Sequence, residues 1–120
     1  MSSVQDVKGR VFLVTGAASG IGAALVSSLH ADGGKVAALD IQPTAAEAAL
    51  SLTADISNEQ CWRDVVHEVR AKFGRIDGLV NCAGIIRMGS IDSMDLSEFQ
   101  AVMRVNVEGT FLAMKHILPV

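Results

Sequence analysis

Three glycines, a serine and an acid carry the first chemical signal in the chain. In Thr15-Gly16-Ala17-Ala18-Ser19-Gly20-Ile21-Gly22 an apolar run ends in a glycine-rich loop, and a helical pattern follows. Gly16 suits a tight turn, Gly20 lets backbone approach a pyrophosphate, and Gly22 lets the helix pack close to a sheet. The free amides of such a helix start, here around Ser19, Gly20 and Ile21, favour an anion because the helix dipole stands behind them. Asp40 ends the next apolar run at the spacing expected of an acid that accepts both hydroxyls of an adenosine ribose. A strand-end aspartate that caps its own turn is the competing reading. A 2′-phosphate would meet like charge there, and Ile41-Gln42-Pro43 offers no cation, so NAD is expected in preference to NADP.

These residues need a scaffold of strands and helices in a particular order. Residues 10–15 (RVFLVT) and Lys35–Asp40 (KVAALD) read as buried strands, with a helix over residues 21–30 between them, where Ile21, Leu25 and Leu29 fall four apart. Asp32-Gly33-Gly34 stops that helix. Residues 44–50 have room for a turn or two of Ala-rich helix, and residues 51–55 for a short third strand. Ser57 or Asn58 then caps a helix to about Phe73, with Trp62, Val65, Val66 and Val69 inward. Residues 76–81 form a fourth strand, 82–95 a loop, and 96–118 one long helix. The alternation predicts an α/β fold with βαβ crossovers and a parallel sheet, in one domain over residues 1–120.

Composition narrows the function classes. The chain has 120 residues, half of them hydrophobic and 19% charged, which is enough for a core. A net charge of −3 with no Lys/Arg run argues against nucleic acid as partner. No apolar stretch is long enough for a membrane span, and residues 1–10 do not resemble a signal peptide. Two cysteines, neither in a C-x-x-C pair, fit a reduced, cytoplasmic protein. His30, His67 and His116 share no metal-ligand spacing, so no metal is expected.

The glycine spacing T-G-x-x-x-G-I-G resembles the fingerprint of the classical short-chain dehydrogenase/reductase family, and three further segments agree. Asp55, with Ile56 beside it, resembles the acid that holds the adenine amino group; capping the loop before the next helix is its plainer alternative. Asn81-Cys82-Ala83-Gly84 resembles the family's N-N-A-G, with Cys82 where Asn is commoner. By that resemblance Asn81 steadies the sheet and the adenosine pocket, while Ala83 and Gly84 let backbone approach the cofactor. Asn106 resembles the helix asparagine that bonds backbone, disturbs its helix and places a water of the proton relay. It is the one candidate catalytic position.

The resemblance implies a Rossmann-type, doubly wound parallel sheet, here truncated after the fourth strand and the long helix that follows. The family's working Ser and Tyr-x-x-x-Lys lie on later elements, and this chain contains no Tyr. Ser90 and Ser93 precede the helix and are not counterparts of the catalytic serine. The implied function is therefore the amino-terminal part of an NAD-dependent oxidoreductase that transfers hydride in an alcohol/ketone pair, with this chain alone inactive. The alternatives are a non-catalytic NAD-binding module or an interaction fragment. Ile85, Ile86 and Met88 suit either one wall of a substrate site or local packing.

At roughly 100° per residue, Phe99, Val102, Met103, Met114, Ile117 and Leu118 share one arc of the last helix. Val105 and Leu112 lie opposite, beyond Arg104, Glu108 and Lys115. A helix apolar on two sides is built to be buried on two sides, which predicts a homo-oligomer, or a hetero-oligomer with a full-length subunit, through residues 96–118.

Overall fold

The computed structural model describes residues 6–44 and 48–120. Its elements are β1 (Val11–Thr15), α1 (Gly20–Ala31), β2 (Lys35–Asp40), β3 (Leu50–Thr53), α2 (Glu59–Lys72), β4 (Gly78–Asn81), α3 (Leu96–Met103), a π-helical segment (Arg104–Glu108) and α4 (Gly109–Ile117). The four strands form one parallel sheet in the order β3-β2-β1-β4. β1 is central because it is apolar on both faces. Leu13 packs with Ala37, Leu39, Trp62, Val65 and Val69 under α2 and α4. Val14 packs with Val36, Ala38 and Val26 under α1. Helices thus cover both faces, as a doubly wound sheet requires.

Local chemistry sets the ends of the elements. α1 closes where Gly33 turns to φ +87° and the amide of Gly34 bonds the Leu29 carbonyl. Asn58, rather than Ser57, caps α2, its side chain accepting from the Cys61 amide at 3.2 Å. Trp62 is buried at the centre of that helix's inner face, and its Nε1 donates to the Ile56 carbonyl at 2.8 Å. β4 begins two residues later than expected, at Gly78. The Asp77 carboxylate accepts from the Val11 amide at 2.8 Å and is gripped by Arg75, so residues 76 and 77 lead into the strand instead of extending it. Arg75, and then the Val11 amide, hold the Asp77 carboxyl below its usual range.

Two other expectations need correction. The helical turn over residues 44–50 falls partly on residues 45–47, which lie outside the described residues; Thr44, Ala48 and Ala49 are not helical, and Leu50 opens β3. β3 ends at Thr53, not Asp55, because Asp55 has turned away to cap Ser57. Within α1, Leu25 and Leu29 pack against the core, Gly22 and Val26 are buried, and Ile21 is 80% exposed.

The long helix is continuous but not uniform. A π turn takes up about one residue more than an α turn, so phase is lost by roughly 100° across residues 104–108. Ile117 therefore lies on the core side with Val105, Leu112 and Ala113, not on the outer arc. The outer row is instead Phe99, Met103, Val107, Phe111, Met114 and Leu118, all exposed.

One cluster ties the end of this helix to the start of α2. Glu59 Oε2 accepts from Lys115 Nζ at 2.6 Å and lies 2.7 Å from His116 Nε2. Those bonds, Lys115 first, lower the Glu59 carboxyl to about 2. A depressed carboxylate stabilises the fold above its unfolded value of 4.5 and loses that contribution as pH falls towards 2. Glu59→Gln should lower the thermal midpoint by a few degrees at pH 7. The gap from wild type should shrink steadily in melts run below pH 4.5; a gap independent of pH would show that the charge is not what matters.

Candidate nucleotide-binding site

The loop after β1 is held between two neighbouring strands. The amide of Ala17 donates to the Leu39 carbonyl at 3.2 Å, and that of Ala18 to Asp40 Oδ2 at 3.0 Å. On the other side Thr15, 1% exposed, accepts from the amides of both Cys82 and Ala83 at 3.2 Å. Thr15 is thus a site residue beyond those the glycine and acid spacing predicts, and a hydroxyl at the end of a buried strand is its signal in the sequence. Gly16 and Gly20 take positive φ, +66° and +58°. A Cβ on Gly16 would stand 2.7 Å from the Ala83 amide nitrogen, and one on Gly22 only 2.0 Å from the Gly16 carbonyl oxygen. Gly20 faces open space, with nothing within 4 Å of a built Cβ.

Ser19 stands at the N-cap of α1 in extended backbone, with its side chain not bonded to the helix. Among the described residues the amides of Gly20, Ile21 and Gly22 have no protein acceptor. They open into a cleft of about 440 Å³ at the carboxyl ends of β1, β2, β3 and β4. This is the place where parallel open sheets hold ligands.

Ten of the expected site residues line that cleft together. They are Gly16, Ser19, Gly20, Ile21 and Gly22 on the loop and helix, Asp40 after β2, Asp55 and Ile56 after β3, and Ala83 and Gly84 after β4. Asn81 ends β4 beside Thr15 but is not part of the lining, and Asn106 stands behind the wall. Ile41, Ala54, Cys82, Ile85 and Val105 also line it, apolar positions whose direction only the folded chain reveals.

Both acids also do the plainer job considered for them. Asp40 Oδ1 accepts from the Gln42 amide at 2.9 Å, so its two oxygens bind its own turn to the glycine loop. Asp55 Oδ1 accepts from the amide of Ser57 at 2.9 Å and from its hydroxyl at 2.7 Å. Capping and ligand binding are compatible, because a carboxylate offers about four acceptor sites. Asn106 uses its whole carboxamide on one residue. Oδ1 accepts from the Ile85 amide at 2.8 Å, and Nδ2 donates to the Ile85 carbonyl at 2.9 Å.

The sequence profile described as short chain dehydrogenase matches residues 10–120. The chain belongs to the short-chain dehydrogenase family. D-threitol dehydrogenase of Mycolicibacterium smegmatis is 36% identical over an alignment of 115 residues that covers 87% of this chain and 44% of that protein. A 2,5-dichloro-2,5-cyclohexadiene-1,4-diol dehydrogenase of Sphingobium indicum is 37% identical, over 94% of this chain and 49% of its own length. Among solved structures, ligand-free aldohexose dehydrogenase of Thermoplasma acidophilum superposes with a TM-score of 0.88 at 33% identity, covering 95% of this chain and 45% of that one. The chain spans about half the length of the curated relatives it matches. Members of the short-chain dehydrogenase family are oxidoreductases that bind a nicotinamide dinucleotide, and the cleft has the parts such a ligand needs. Open amides at a helix start suit its pyrophosphate, and carboxylates with spare lone pairs suit its hydroxyls.

Among the described residues no helix is long and apolar enough to cross a membrane, and no group of three or more His, Cys, Asp or Glu could hold a metal ion.

Proposed function

We propose that this chain supplies the dinucleotide-binding half of an NAD-dependent oxidoreductase acting on an alcohol/ketone pair. The observation that carries the reading is one cleft joining the open glycine loop to two carboxylates, with no Lys or Arg in its lining. The loop and the first-turn amides of α1 take the pyrophosphate, Asp40 the adenosine ribose, and Asp55 with Ile56 the adenine. Two acids and no cation favour NAD, since a 2′-phosphate beside Asp40 would face like charge. A nicotinamide bound here would supply the hydride donor or acceptor for interconverting the alcohol and the ketone. Ala83 and Gly84 bring backbone against the dinucleotide, and Asn81 steadies the end of the sheet beside them. Asn106 is the relay position. Its side chain is committed to Ile85, so any contact with a relay water passes through its carbonyl, which here accepts from Thr110 Oγ1 at 3.0 Å.

The named relatives act on a polyol, a cyclic diol and an aldohexose by their descriptions, which supports a hydroxyl-bearing substrate. Two unpaired, half-buried cysteines, Cys61 and Cys82, suit a reducing cytoplasm. The exposed outer row of the last helix favours association with a second subunit through that face, whether a like copy or a longer one.

Calorimetric titration of the purified protein with NAD and NADP tests the reading. Saturable binding with NAD the tighter ligand is expected. A folded sample that binds neither would remove the nucleotide reading and leave only the interaction role.

A further inference from the structure

The π segment is where the cleft wall and the outer apolar row meet. Within three consecutive residues, Val105 lines the cleft, Asn106 bonds Ile85 of the wall, and Val107 is exposed in the outer row between Met103 and Phe111. The Asn106 carboxamide acts like a strand partner for Ile85, with one bond each way. It also lies against Gly84, where a Cβ would come 3.2 Å from Oδ1. Just after the segment, Gly109 fits against Ile56, since a Cβ there would fall 2.6 Å from Ile56 Cδ1. Both flanks of the extra residue are therefore keyed to the cleft: Asn106 to Gly84 and Ile85, Gly109 to Ile56.

A π turn inside an α-helix is rare and recurs at functional sites. Return to an α turn would rotate the two halves of the helix relative to each other by roughly 100°. Asn106 and Gly109 could not then both keep their wall partners, and Ile117 would turn out of the core.

We propose that this segment is a conformational relay: a dinucleotide packed against Gly84, Ile85 and Ile56 holds the π turn in place and so fixes the rotation of the last helix that seats Ile117 in the core. The inference rests on the NAD reading above. It assigns Asn106 as a positioning residue that acts through the helix backbone.

Hydrogen exchange of the purified protein, with and without saturating NAD, tests it, with occupancy confirmed by calorimetry on the same samples. In wild type, NAD should slow exchange of amides 103–112 by about tenfold, within the usual range for coupled sites. Asn106→Asp keeps the acceptor but sets an oxygen against the Ile85 carbonyl, and Asn106→Ala removes both bonds. At full occupancy each should lose most of that protection while amides of the glycine loop stay protected. Bound NAD with no protection of the helix in wild type would overturn the relay and spare the cofactor reading. Equal protection in wild type and both variants would overturn it as well. Absence of NAD binding would overturn both readings. The wild-type comparison stands by itself if a variant fails to fold.

Discussion

Gly22→Ala is expected to destabilise the protein by more than about 3 kcal/mol, the upper end of what overpacking usually costs. The methyl would stand 2.0 Å from the Gly16 carbonyl oxygen and 2.7 Å from its carbon. Both are backbone atoms, so neither can swing aside, and α1 must move off the sheet. Gly20→Ala is the matched control. Its methyl meets nothing within 4 Å, and its cost is the left-handed φ of +58°, about 1–2 kcal/mol. Urea unfolding should therefore separate the two variants sharply. In calorimetry Gly20→Ala should remain folded yet bind NAD poorly, because the methyl occupies the space beside the open amides. A Gly22→Ala protein as stable as wild type would mean that the helix does not approach the loop as closely as described.

Asp40→Ala should weaken NAD binding by roughly tenfold to a hundredfold, the loss that about 1.5–3 kcal/mol of charge-assisted hydrogen bonding implies. It should also narrow the preference over NADP, since the like charge facing a 2′-phosphate is gone. Part of the loss is indirect. Asp40 holds the Ala18 amide at 3.0 Å, so the variant loosens the glycine loop as well as the ribose contact. Asp40→Asn separates the two: it keeps an acceptor for the loop but loses the negative charge, and should recover NADP binding more than NAD binding. Tighter binding of NADP than NAD by the unmodified protein would sink the cofactor preference.

The parts of the site that could be read from the sequence are those where one residue type alone satisfies the backbone. Gly16 and Gly22 are glycines because atoms of the neighbouring backbone occupy the place of their side chains. The strand ends could be read because Thr15 and Asp40 follow short apolar runs. Asp55 was harder to place. β3 is half exposed, with Leu50 and Leu52 as its only apolar residues, so its pattern does not define where pairing ends and capping begins. The outer row was misread for a different reason. A constant 100° step assumes a uniform helix and sets Ile117 beside Phe99, whereas the π turn carries it to the core; Val107 and Phe111 lie outward on either count. Asn106 in an apolar stretch was the visible hint, and its bonds to Ile85 supply the cause.

The strand order has a consequence in time. β1 is the first strand of the sheet to be synthesised, yet it pairs on one side with β2 and on the other with β4, reached only after β3 and α2. At about 5–20 residues per second, its second edge waits on the order of several seconds on the ribosome. Throughout that interval Phe12, Leu13 and Val14 present unpaired backbone in an apolar strand, the kind of edge that recruits other chains. Pairing of both edges of β1 is thus gated by β4, and the nascent protein is most in need of shielding between the appearance of its nucleotide loop and the arrival of Gly78.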